Sequence, residues 1–147
     1  QQMKAAGLNV PLMGGDGIYD PAYVELAGKT SNGDLATSVG APTESLDTAK
    51  QFVADYQAAG YKEPYAAYGA YSYDAANAII NALKTSLASA SDAKSARQAT
   101  IDAMSKVSFD GATGKVAFDQ YGDTTTKVLT VYKVDGGKWV AEKTGSG

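Results

Sequence analysis

The spacing of apolar residues changes twice along this chain, and that change restricts the possible fold more than any composition figure. Short apolar runs closed by glycine come first, over residues 9–13 and 34–39. Three- and four-residue helical spacing fills the middle, and Val- and Tyr-rich alternating segments finish the chain. A sequence that reads strand, helix, strand, several helices and hairpin belongs to the α/β class. Its 147 residues suffice to bury a core.

In detail, residues 1–6 read as the tail of a helix closed by Gly7. The run over 9–13 reads as a strand ending in Gly14-Gly15-Asp16-Gly17. Asp20-Pro21 pairs an N-cap with proline at the first helical position, and Gly28 stops that helix. A second strand over 34–39 gives way to Gly40-Ala41-Pro42-Thr43, which has the composition of a linker between substructures. Leu46, Ala49, Phe52, Val53 and Tyr56 then place one apolar stripe on a helix over 45–59, ended by Gly60. A long Ala- and Tyr-rich helix is expected over 68–87, and a further helix capped by Asp92 runs toward Val107. The end of the chain predicts strands over 114–118 and 127–134 and a β-hairpin through Asp135-Gly136-Gly137 to Lys138-Trp139-Val140. The polar turn over 119–123 is a second place where the chain could cross between substructures. There is no internal repeat or heptad array.

Composition narrows function as well. With neither Cys nor His, the chain lacks thiolate and imidazole ligands, the Cys nucleophile and the Ser-His-Asp triad. The net charge is -3 and the basic residues are scattered singly, which argues against a nucleic-acid partner. No apolar stretch approaches the roughly 20 residues of a membrane-spanning helix. Gln1-Gln2-Met3-Lys4 does not open a basic and then apolar leader, so a signal peptide is expected to lie outside this chain.

Asp16 is the sharpest candidate for chemistry. Flanking glycines remove side-chain bulk, permit positive φ and let a ligand approach its carboxylate, a suitable partner for an ammonium group. The bland alternative is that Gly-Asp-Gly is turn chemistry, and the spacing does not match a phosphate loop. Tyr61, Tyr65, Tyr68, Tyr71 and Tyr73 could cover an apolar ligand, although rings at helical spacing more often serve the core. The acidic residues in 109–114 and 120–123 lack the spacing of an EF-hand and read as turns. A hydrolase using paired carboxylates finds no positive support, and no cofactor or metal is expected.

Three segments in order resemble the leucine/isoleucine/valine-binding protein family, the type I periplasmic binding proteins that serve ABC transporters as extracellular ligand-binding receptors. They are Met13-Gly14-Gly15-Asp16-Gly17, then Glu63-Pro64-Tyr65 leading to Tyr73-Asp74-Ala75-Ala76, then the stretch from Phe109-Asp110-Gly111-Ala112-Thr113-Gly114 through Asp119-Gln120-Tyr121-Gly122-Asp123. The resemblance implies the C-terminal portion of a two-lobed receptor that closes by a hinge on an amino acid, branched-chain or otherwise apolar. It implies that residues 1–40 and 120–147 belong to the C-terminal lobe and 41–119 to the N-terminal lobe. It also implies that Asp16 pairs with the ligand's ammonium, that Gly15, Gly17 and Ile18 shape the pocket, and that Tyr68 lines the cleft. Further implications are an extracytoplasmic location, periplasmic or cell-surface-anchored, a membrane permease as partner of the full-length protein, and no enzymatic activity. A ligand-sensing regulator of the same fold is the alternative. With half of each lobe absent, the chain is expected to pair with a second copy by exchange of elements.

Overall fold

A computed structural model describes residues 1–88 and 90–146. Gly147, the end of the segment assigned above to the C-terminal lobe, lies outside the described residues. The chain forms two units, one of Gln1–Pro42 with Val128–Gly147 and the other of Thr43–Lys127.

The first unit is a four-stranded sheet with one helix of consequence. After a single helical turn, α1 (Gln2–Ala5), Gly7 reverses the chain at φ 85°. Strand β1 (Met13–Gly14) runs parallel to β2 (Leu35–Val39), pairing Met13 with Leu35 and Gly14 with Ala36. The connection is α2 (Pro21–Ala27), whose N-cap Asp20 accepts the Ala22 N–H at 2.7 Å. Strands β5 (Val128–Asp135) and β6 (Lys138–Ser146) complete the order β1-β2-β5-β6, both antiparallel to their neighbours. Gly136 and Gly137, at φ 57° and 79°, make the two-residue turn between them, in which both central positions need the left-handed region. Burial alternates along β2 and β5, so Ala36, Ser38, Thr130, Tyr132 and Val134 face inward.

The expected strand over 9–13 is reduced to two residues. Pro11 has no N–H to give, and the Leu12 N–H goes to the Asp34 carboxylate at 2.7 Å rather than to a ladder partner.

The second unit packs three helices against a small hairpin. The helix expected over 45–59 starts later, as α3 (Lys50–Ala58), because residues 43–49 form two 3-10 turns separated by Leu46 in an extended conformation. Helix α4 (Gly69–Ser86) lies within the expected span, and α5 (Ala93–Met104) begins at Asp92, whose carboxylate accepts the Ser95 N–H while Ser95 Oγ accepts the Asp92 N–H. Ala78 and Ala82 of α4 are almost fully buried with Val107, against Ala103, Met104, Phe109 and Phe118. Phe52 of α3 forms a second cluster with Ala70 and Ala112.

Residues 109–114 are not a plain turn. Ser108–Gly111 is β3, paired antiparallel with β4 (Gly114–Ala117) around the two-residue turn Ala112-Thr113. Residues 119–127 stay with this unit. Asp119 accepts the Tyr121 and Asp123 N–H groups, Phe118 bridges Thr124, and Thr126 donates to the Lys115 carbonyl at 2.8 Å. The chain therefore returns to the first unit at Val128 and not at the 119–120 turn.

Candidate functional site

Asp16 opens a 3-10 turn, Asp16–Ile18, immediately beyond the carboxyl end of β1. Ligands of open α/β sheets gather beyond the carboxyl ends of parallel strands, and a carboxylate there can accept charge-assisted hydrogen bonds from a cation. The side chain is exposed. Gly15, Gly17 and Ile18 share the turn. Neither Gly15 nor Gly17 has positive φ, which corrects one reason given for them, but a Cβ at either would meet nothing within 4 Å. Their smallness leaves the approach to the turn open. Gly14 is the tighter position, since its Cβ would lie 2.6 Å from Ile18 Cδ1 and a larger residue there would make the Ile18 side chain shift. Ile18 thus closes over the end of β1, half-buried.

The turn is backed by aromatic rings that sequence reading missed. Tyr19 stacks on Tyr132 of β5 with ring centres 3.9 Å apart, and Trp139 of β6 lies edge-on to Tyr19 at 5.9 Å. The Trp139 indole N–H donates to the Asp20 carbonyl at 3.0 Å, and its ring is 5.5 Å from that of Tyr23. Tyr23 in turn donates to Asp34 at 2.7 Å, and Asp34, 5% exposed, also takes the Leu12 N–H. Burial first, then the hydrogen bond and charge of Asp34, push the Tyr23 hydroxyl up to about 12. Alternation in β5 gave Tyr132 an inward direction, but nothing local paired it with Tyr19, 113 positions earlier by their numbers.

Tyr68 lies in the second unit as the N-cap residue of α4, 47% exposed. Of the other tyrosines, Tyr61, Tyr65 and Tyr73 join Phe52 and Tyr56 in an aromatic cluster. Tyr65 donates to Glu44, and burial followed by that hydrogen bond and charge pushes its hydroxyl up to about 12. The second unit also carries a pocket of about 380 Å³ lined by Gln51, Phe52, Asn77, Asn81 and Asp110 among others. Of the tyrosines weighed above as cover for a ligand, Tyr73 lines it, whereas Asp16, Gly15, Gly17, Ile18 and Tyr68 do not.

Asp74, on the wall of that pocket, has a structural task. One carboxylate oxygen accepts the Ala112 N–H at 2.8 Å, and the other accepts the Thr113 N–H at 2.8 Å and its hydroxyl at 2.6 Å. A Cβ on Gly111 would sit 2.5 Å from this carboxylate. The Tyr73-Asp74-Ala75-Ala76 and Phe109-Asp110-Gly111-Ala112-Thr113-Gly114 segments, read separately in the sequence, are thus two halves of one contact. Among the described residues no group of three or more acidic side chains is placed to hold a metal ion, and no helix is long and apolar enough to cross a membrane.

A parallel strand pair with its acidic turn, a β-hairpin and a helical second unit make this a two-unit α/β protein. The sequence profile of the periplasmic binding proteins matches residues 1–138, and the chain belongs to that family. Over 141 residues it is 26% identical to the Leu/Ile/Val-binding protein BraC3 of Rhizobium johnstonii, covering 96% of this chain and 36% of that protein. The leucine-binding protein LivK of Thermotoga maritima superposes with a TM-score of 0.80 at 26% identity, over 99% of this chain and 40% of its own. The branched-chain amino acid transporter substrate-binding protein LivJ of Streptococcus pneumoniae, solved with isoleucine, gives 0.73 at 26% identity, over 99% and 39%. The resemblance to the leucine/isoleucine/valine-binding family and the α/β fold are both borne out. The chain spans well under half the length of these relatives.

Proposed function

We propose that this chain is the C-terminal portion of the substrate-binding component of an ABC importer. The full-length receptor captures an amino acid, branched-chain or otherwise apolar, in a cleft between its two lobes and delivers it to a membrane permease. The unit of residues 1–42 and 128–147 is part of its C-terminal lobe, and residues 43–127 are part of its N-terminal lobe. It works outside the cytoplasm without a cofactor.

The observation that carries this reading is the Asp16 carboxylate, exposed in a glycine-flanked turn at the carboxyl end of a parallel strand. A carboxylate in that position can orient an α-ammonium group and select amino acids over simple hydrophobes. Gly15 and Gly17 keep the approach open, Ile18 supplies an apolar flank, and Tyr68 contributes an aromatic wall. The names of BraC3, LivK and LivJ support the ligand class.

A thermal-shift or calorimetric screen of the full-length receptor against the standard amino acids tests the assignment, since a ligand that binds only the folded form raises its stability. Leucine, isoleucine or valine is expected to give the largest shift. Asp16→Ala abolishes it, whereas Tyr61→Ala leaves it nearly unchanged. An undiminished shift in Asp16→Ala sinks the role of this carboxylate.

A further inference from the structure

We propose that Trp139, together with Tyr19 and Tyr132, positions the Asp16 carboxylate for the ligand's ammonium group, an inference that rests on the reading of Asp16 given above. Asp16 itself is exposed, so burial of its own side chain does not fix its direction. What fixes the turn comes from behind it. The Tyr19 N–H donates to the Asp16 carbonyl at 3.0 Å, which ties the backbone of the acidic residue to that of Tyr19. The Tyr19 ring is in turn stacked on Tyr132, only 4% exposed in the middle of β5. One residue further on, the Asp20 carbonyl is held by the Trp139 indole. Trp139 reaches it from β6 because it pairs with Val134 across the hairpin and so shares the inward face of Val134 and Tyr132. Upstream of the turn, Asp34 takes the Leu12 N–H and the Tyr23 hydroxyl, and the Tyr23 ring lies against Trp139. Both the segment entering the turn and the segment leaving it are therefore fixed to one aromatic and acidic frame.

Such a frame matters to binding through entropy. An exposed turn left to itself samples many backbone and side-chain states, and a ligand must select one of them. Ordering the turn in advance removes that cost from the binding step. The indole N–H is the specific part. Phenylalanine at position 139 would keep the ring contacts with Tyr19 and Tyr23 but leave the Asp20 carbonyl without its donor.

The test is a double-mutant cycle in the full-length receptor, with leucine as the probe and its affinity measured by titration calorimetry, or by NMR where binding is weak. Trp139→Phe is expected to weaken leucine binding about fivefold when Asp16 is present, the scale of one lost neutral hydrogen bond. In an Asp16→Asn background the same change should have almost no further effect, because its influence passes through the carboxylate. Tyr132→Leu, which removes the stacked ring, should match Trp139→Phe in both backgrounds. An equal loss from Trp139→Phe in both backgrounds, or no loss in either, overturns the positioning role. If Asp16→Asn alone binds leucine normally, the reading of Asp16 fails and this inference falls with it. If Asp16→Asn weakens binding and the aromatic variants do not, only the positioning role falls. Should Trp139→Phe fail to fold, Tyr132→Leu compared in the Asp16 and Asp16→Asn backgrounds decides the matter in the same way.

Discussion

Two aspartates illustrate how differently the same side chain can be used. Asp16 is exposed and is proposed to accept from a ligand, whereas Asp74 is 3% exposed and meets three donors from a turn 38 and 39 residues away. Removing Asp74 strands two backbone N–H groups inside the second unit. Asp74→Ala should therefore cost about 3 kcal/mol of stability, measured by urea denaturation of the 147-residue chain. A cost below about 1 kcal/mol would mean that water replaces the carboxylate without penalty. Asp16→Ala should leave the same measurement almost unchanged, as expected of an exposed position. The contrast separates a residue that builds the fold from one proposed to serve a ligand. In the sequence Asp16 stands out between glycines while Asp74 sits within a helical Ala- and Tyr-rich segment, and the partners of Asp74 are distant along the chain.

Elements in this chain succeed where their ends are chemically specified. Helix α2 has Asp20-Pro21 at its start and Gly28 after it, and α5 has its capping box, so both begin at the residue the sequence indicates. Helix α3 lacks a side-chain cap, and the segment before it relaxes into 3-10 turns. The Asp92 cap also gives a pH signature. The Ser95 backbone N–H, helped by its hydroxyl, holds the Asp92 carboxyl below its ordinary value. A carboxyl lowered in the folded state stabilises at pH above its unfolded value, and that contribution disappears as the pH falls through the folded value. Far-UV circular dichroism of Asp92→Ala should show lost helicity at neutral pH, with the difference from the parent chain shrinking in acid. A difference that persists unchanged at the acid end would rule out the ionised cap as its source.

At the scale of the whole molecule, two partly buried tyrosine hydroxyls contribute to the alkaline limit. Tyr23 and Tyr65 are both raised to about 12, by burial and then by Asp34 and Glu44 respectively. A tyrosine whose folded value exceeds its unfolded value of about 10 contributes stability in full below that value. The contribution is lost as pH climbs through the folded value. Denaturation midpoints should fall between pH 10 and 12, and the Tyr23→Phe, Tyr65→Phe double variant should flatten that decline. An equally steep decline in the double variant would assign it to other groups. Exposed apolar side chains suggest a further behaviour: Leu8, Val10, Met13 and Leu26 in one unit, and Ile79, Ile80 and Leu87 in the other, are each about half exposed or more. The isolated 147-residue chain is expected to self-associate as its concentration rises, followed by sedimentation velocity. A monomer at all concentrations would remove the proposed pairing of copies.

Local chemistry was sufficient for the α/β class, the order of the helices, the glycine turn of the C-terminal hairpin and the acid at the end of β1. Each depends on spacing or on neighbours a few residues apart, which a sequence displays directly. Tertiary structure alone decided that β3 is a strand, because Asp74 supplies the acceptors for its turn from another helix. It likewise decided that the start of β1 is spent on Asp34, that residues 119–127 stay with the second unit, and that Trp139 stands behind the Asp16 turn. Hydrogen bonds and ring contacts between residues tens of positions apart leave no periodicity to read, so folding has to bring them together before their meaning exists.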